Sequence, residues 1–432
     1  MLTTFIQAFR TPDVRRKLLF TIAIIVIFRL GQNLPAPGVD VRAAKVCVAG
    51  MGRSGQAGVL DTVNVLSGGA LLKLSVFALG IFPYITASII LQLLTVVIPR
   101  LQALKKDGQS GTAKITQYTR YLTVGLAVLQ GASVAAVVST GTLFRGCSSS
   151  LLRDHRILTI ATMVICMVAG TAVIMWLGEL ITERGIGNGM SLLMFTQIAA
   201  MLPTQFWNIA KSKGGFTFVV VVLLSVAVVA GVVFVEQAQR RIPVQYAKRM
   251  VGRRTYGVTG TYIPLKVNQA GVIPIIFASS LIYLPSTTAR LWPGNKFLNR
   301  TLAPYLSPGS AWNTGAFFLL IVFFTYFYVA ITFNPVEIAD NMKRYGGFIP
   351  GIRPGRPTAG YLDHVLTRIT APGALYLALI ALIPTIEFTA MGTAQEFAFG
   401  GTSLLIVVGV GLDTVKQIES QLQQRNYEGF LR

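Results

Sequence analysis

The sequence predicts an all-α membrane protein, with ten transmembrane helices in two inverted five-helix halves and both termini cytoplasmic. Three observations carry that expectation. Of 432 residues, 53% are hydrophobic and 12% charged, with a mean hydropathy of +0.61, a balance that marks an integral membrane chain. The apolar residues come in runs near the ~20 that carry a helix across a bilayer, not in the alternating ~10-residue segments of a barrel strand. Finally, 25 of the 38 Lys and Arg lie in the terminal segments and alternate loops on the N-terminal side, which the positive-inside rule makes cytoplasmic. The net charge of +22 is therefore largely topological, although two loops, 239–267 and 334–367, are more basic than orientation needs.

Residues 1–17 hold Arg10, Arg15, Arg16 and Lys17 and read as a cytoplasmic amphipathic lead-in, in which Thr11-Pro12 is a helix start. The N-terminal half, 18–206, carries spans at about 18–34, 74–98, 117–139, 157–178 and 189–206. Between its fourth and fifth spans, ITERGIGNG at 181–189 has the glycines of a phosphate loop. It lacks the Lys-Ser/Thr pair and a preceding strand, so a tight turn is expected. The C-terminal half, 207–415, carries spans at about 216–236, 268–289, 314–333, 370–388 and 400–415. Its first large loop contains RRTYGVTGTYIPL, whose β-branched and aromatic residues interleaved with glycine favour a projecting hairpin. A polar cytoplasmic tail, 416–432, follows.

The stretch 61–99 is the most irregular. Asp61, Asn64, Ser67, Gly68 and Gly69 precede a run long enough to span, which itself contains Gly80 and Pro83; these are expected in mid-helix, where a cavity or protein neighbours satisfy the freed backbone groups. The same G-x-x-P recurs as Gly271-Val272-Ile273-Pro274 in the second helix of the other half. Matched broken helices in halves of odd helix number run in opposite senses and place the working site at their interface.

Ionisable residues deep in the spans are nearly absent. Glu179, Glu236, Glu387 and Asp413 sit toward span ends, where solvated or capping roles are expected. An ion-coupled solute transporter with inverted repeats, the alternative architecture, needs such groups at depth. Cys47, Cys147 and Cys166 form no CxxC, and His155 and His364 stand apart, so neither a metal site nor a cofactor is expected, and no catalytic residue is assigned.

Five runs are more specific: FALGIFPYITASIILQLLTVV (77–97), ITERGIGNG (181–189), KVNQAGVIPIIFASS (266–280), FNPVEIADNMKRYGGFIPGIRPG (333–355) and FGGTSLLIVVG (399–409). Together, in order and across the chain, they resemble the SecY family of bacterial protein-translocase channel subunits. The resemblance implies a clam-shell channel without enzymatic activity, in which secretory polypeptides cross the plasma membrane and membrane proteins enter it sideways. It implies a plug at about 58–72, including Asp61, Asn64, Ser67, Gly68 and Gly69, and a pore ring of Ile81, Ile85, Met190, Met194, Ile276 and Ile406. It places polar lateral-gate contacts at Thr86, Gln130 and Asn268, and partner docking at Arg253, Arg254 and Arg353. The implied partners are SecE, SecG, the SecA motor ATPase, the ribosome with its RNA, and signal peptides; anionic lipids suit the other basic loop residues. Physically, an apolar ring gates by dewetting, and methionines give it a softer lining than isoleucines.

Overall fold

The computed structural model describes residues 9–40, 68–71, 73–139, 156–212, 215–246, 249–251, 254–256, 261–279, 281–282, 310–391 and 401–430. The first helix, α1 (Pro12–Asn33), runs without a break from the basic lead-in through the first apolar run, with Thr11 at its N-cap and proline in its first turn. Leu19, Ile22, Val26, Ile27 and Leu30 are exposed along it while Ile24 and Phe28 are buried, as expected of a helix with lipid on one side and protein on the other.

The chain then makes an irregular run of turns, 73–81, strapped to the end of α1. Ala36 N–H donates to the Leu74 carbonyl and Val76 N–H to the Leu34 carbonyl, both at 2.9 Å. The second span begins only at α2 (Phe82–Val97). Gly80 and Pro83 are therefore not in mid-helix, contrary to the sequence expectation. Gly80, at φ +58°, ends the turn in a left-handed conformation, and Pro83 stands in the first helical turn, where its missing N–H has no partner to lose. At Ile98 the chain bends by 100° into α3 (Pro99–Lys106), which carries Lys105 and Lys106 in its last turn.

Two long helices follow, α4 (Gln109–Ser139) and α5 (Ile157–Arg184), joined across 59 residues by a bidentate pair: Arg120 Nε and Nη2 donate to Glu179 at 2.9 and 2.7 Å. Glu179 is thus an ion-pair partner, where the sequence suggested a solvated or capping carboxylate. The GIGNG segment is a turn, as expected. Asn188 Oδ1 accepts from the N–H groups of Met190 and Ser191 and so caps α6 (Gly189–Ala199). The predicted fifth span is split: α6 ends at Ala199 and α7 (Leu202–Ser212) starts just before Pro203.

After α8 (Gly215–Gln237), the first basic loop forms the expected hairpin. β1 (Gln239–Tyr246) pairs antiparallel with β4 (Thr261–Lys266), Ile242 opposite Ile263, and between them β2 (Arg249–Val251) pairs with β3 (Arg254–Tyr256). No local pattern signals that the second basic loop joins the same sheet. β5 (Gly347–Phe348) adds to the other edge of β1, giving the order β4-β1-β5, so the fold is not purely α. Ile242, Val244 and Leu265 bury the inner face of this sheet against Met342, Leu362 and Leu366.

Residues 268–272 turn into a short helix, α9 (273–279), and the chain resumes with α10 (Ala311–Thr332), the Asn334-capped α11 (Pro335–Arg344), α12 (Arg356–Met391) and α13 (Gly401–Phe430). The predicted polar tail is a continuation of α13 as far as Phe430. Val14, Ile186 and Ile418 pack together, so the lead-in, the GIGNG turn and this tail share one small core. Among the described residues, four stretches are long and apolar enough to cross a membrane, and a fifth if α2 and α3 count as one bent span.

Candidate channel centre

One apolar cluster gathers all six expected ring residues. Ile81, Met190, Met194 and Ile406 are buried within it, and Ile85 and Ile276 pack against it half-buried. They come from four separate parts of the chain: the 73–81 turn with α2, then α6, α9 and α13. Met190 and Met194 lie one turn apart on α6, hence on one face. Met190 also fills the space that Gly178 leaves open on α5, where a Cβ would meet its sulfur at 2.4 Å. The helix start at Pro83 puts Ile81 at the N-cap and Ile85 one turn further on, with Ile85 N–H donating to the Ile81 carbonyl at 3.2 Å.

Of the five residues expected in a plug, two are among the described residues. Asp61, Asn64 and Ser67 lie outside the described residues, whereas Gly68 and Gly69 are held against the far end of α6. A Cβ on Gly68 would come within 3.2 Å of the Gln197 carbonyl oxygen and 3.0 Å of Gln32 Nε2, and one on Gly69 within 3.3 Å of Met201 Sδ.

The three expected gate residues are not joined by any of the hydrogen bonds described. Thr86 is buried and its hydroxyl donates to the Phe82 carbonyl of its own helix at 3.0 Å, while Gln130 is half-buried on α4. Asn268 is buried, and its Nδ2 donates to the Glu236 carboxylate at 2.5 Å and to the Gly271 carbonyl at 3.2 Å. Among the described residues its Oδ1 is buried without a partner. Glu236, expected to be solvated or capping, is instead the acceptor that holds Asn268.

Of the arginines expected to dock partners, Arg253 lies outside the described residues and Arg254 opens β3. Arg353 is exposed in the turn before α12, its carbonyl accepting from the Thr358 hydroxyl at 2.9 Å. The sheet β4-β1-β5 ties the loop that bears Arg254 to the loop that bears Arg353. Among the described residues, no group of three or more His, Cys, Asp and Glu is placed to hold a metal ion.

Long apolar helices packed around an apolar centre drawn from four distant segments define the class: a helical membrane-channel fold. The family model described as SecY matches residues 75–415. A curated relative from Streptomyces galbus, named protein translocase subunit SecY, is 63% identical over the whole of both chains. The chain belongs to the SecY family. Two solved structures share the fold. One, described as showing that the SecY plug domain stabilises the closed state of the translocation channel, covers 94% of this chain and 91% of its own at 18% identity, with a TM-score of 0.61. The other, an idle yeast Ssh1 complex bound to the yeast 80S ribosome, covers 93% and 88% at 16% identity, with a TM-score of 0.57.

Proposed function

We propose that the chain is a passive protein-conducting channel of the bacterial plasma membrane. Unfolded secretory polypeptides cross through it, and apolar segments of membrane proteins leave it sideways into lipid. The observation that carries this reading is the apolar cluster that brings Ile81, Ile85, Met190, Met194, Ile276 and Ile406 together from four parts of the chain. A ring of this kind excludes water and ions when closed and yields to a chain of changing width when open. Methionine, unbranched and with more rotatable bonds, suits that yielding.

Around the ring, the reading assigns ten spans in two inverted halves, 18–206 and 207–415, with both termini cytoplasmic. The segment at about 58–72 is the plug, and Thr86, Gln130 and Asn268 form the polar contacts of a lateral gate. SecE and SecG complete the channel in the membrane, and the SecA motor or a translating ribosome supplies the energy from the cytoplasmic face. Arg253, Arg254 and Arg353 are the docking arginines. Guanidinium groups pair bidentately with the carboxylates of a motor and equally with the phosphates of ribosomal RNA, and anionic lipids take the other basic loop residues. The ribosome-bound yeast complex supports the ribosome as a partner.

Reconstitution into vesicles with SecE and SecG, followed by addition of SecA, ATP and a secretory precursor, tests the reading. Protease-protected precursor that requires ATP is the expected result. Gradient-driven uptake of a small solute without partners would replace the channel by a transporter.

A further inference from the structure

Gln197 is the polar side chain that the ring alone leaves unexplained. Positions 190, 194 and 197 follow helical spacing, so Gln197 lies on the face of α6 that carries Met190 and Met194. It is 0% exposed, and among the described residues neither its Oε1 nor its Nε2 has a hydrogen-bond partner. Two glycines pack against this residue. A Cβ at Gly68 would stand 3.2 Å from its backbone carbonyl oxygen, and a Cβ at Gly80 2.8 Å from its side-chain Nε2. The end of the plug segment therefore meets the main chain of residue 197, and the turn that enters α2 meets its unsatisfied amide, next to the ring. Buried side-chain amides are nearly always hydrogen-bonded, so this one stands out.

We propose that Gln197 is a contact site for the backbone of the polypeptide in transit, kept unpartnered in the closed channel so that the 68–80 segment is displaced more readily. The inference rests on the protein-conducting reading above. A primary amide offers two N–H donors and a carbonyl acceptor, which match the C=O and N–H of an extended chain whatever its sequence. Met190 and Met194 offer only apolar contact, so a chain that crossed the ring alone would shed its backbone hydration and receive nothing in return. With the 68–80 segment lifted, Gln197 supplies a partner immediately beyond them. Closing the segment again strands the amide, which raises the free energy of the closed state relative to the open one.

The test uses the channel reconstituted with its partner subunits. Gln197→Leu removes both polar atoms at nearly constant volume, and it relieves the stranded amide, so the variant is expected to unfold at a higher temperature than the parent. Translocation initiation is expected to slow roughly tenfold, from loss of the destabilisation of the closed state, and the resting ion leak is expected to fall. In a second arm, Gln197→Cys is expected to form disulfides with single cysteines in a stalled precursor at the same register as Met194→Cys. A Gln197→Leu variant that is more stable but initiates at the parental rate makes the amide a packing feature and overturns the proposal. So does crosslinking from Met194→Cys with none from Gln197→Cys. If the parent channel does not move the precursor and neither cysteine crosslinks, the protein-conducting reading itself falls, and this inference with it.

Discussion

The two G-x-x-P segments, 80–83 and 271–274, are the same local device in different surroundings. Gly80 has φ +58° and Gly271 φ +62°, and each closes a turn immediately before a helix that takes its proline into the first turn. Their neighbours differ. A Cβ at Gly80 would press on Gln197 Nε2 at 2.8 Å, whereas among the described residues nothing lies within 4 Å of a Cβ at Gly271. The turn before α9 is instead braced from inside, because Asn268 donates to both Glu236 and the Gly271 carbonyl. One helix start is thus fixed by tertiary packing against α6, and the other by a polar side chain within its own turn. The first couples the start of α2 to α6; the second couples the start of α9 to α8.

That difference is measurable as thermal or denaturant stability of the purified protein in detergent. Gly80→Ala has the largest expected effect. A left-handed conformation costs an L-residue about 1–2 kcal/mol, and the new methyl must also displace a buried amide, an overpacking cost of about 1–3 kcal/mol. Combining it with Gln197→Ala is expected to recover most of the second part, so a strictly additive double mutant would break the comparison on that side. Asn268→Ala comes next, at about 1.5–3 kcal/mol, because a hydrogen bond to a carboxylate is lost and the half-buried Glu236 is left without that donor. If Asn268→Ala costs no more than Thr86→Ala, whose hydroxyl serves only its own helix, the bracing of the α9 turn is refuted.

Gly271→Ala is expected to cost the conformational penalty alone, about 1–2 kcal/mol. A loss as large as that of Gly80→Ala would show that the open space beside Gly271 is filled in the working channel.

How much of this could be read in the sequence depends on the range of the interaction. Thr11-Pro12, the GIGNG turn and the hairpin at 239–266 are set by neighbours in the chain, and each forms as expected. Hydropathy over a window of about 20 residues puts Gly80 and Pro83 in mid-helix because it is blind to one left-handed residue. The order glycine, then proline three residues later, was itself a helix-start signal that a local reading would have found. The Arg120–Glu179 pair joins positions 59 apart, and strand 347–348 pairs with Gln245 and Tyr246 of β1 across roughly a hundred residues, so neither leaves a local trace. The ring residues look like any other apolar residues in a span, and only the family resemblance singled them out. Gln197 continues the 190–194 stripe and was legible in principle, as the one amide on an apolar face.

The prolines give the smallest and most symmetric effect. Pro83 and Pro274 are both buried at the first turn of their helices, where the fixed φ of the ring is already the one required and no N–H is missed. Replacing either by alanine is expected to destabilise by only about 0.4–1 kcal/mol, mostly by giving freedom back to the unfolded chain. The two values should agree within about 0.5 kcal/mol, since the neighbours that distinguish Gly80 from Gly271 do not act through the proline rings. A Pro83→Ala loss well beyond that of Pro274→Ala would mean that the proline itself, and not only Gly80, is wedged against α6. The asymmetry between the two helix starts would then belong to the whole G-x-x-P turn and not to one Cβ position.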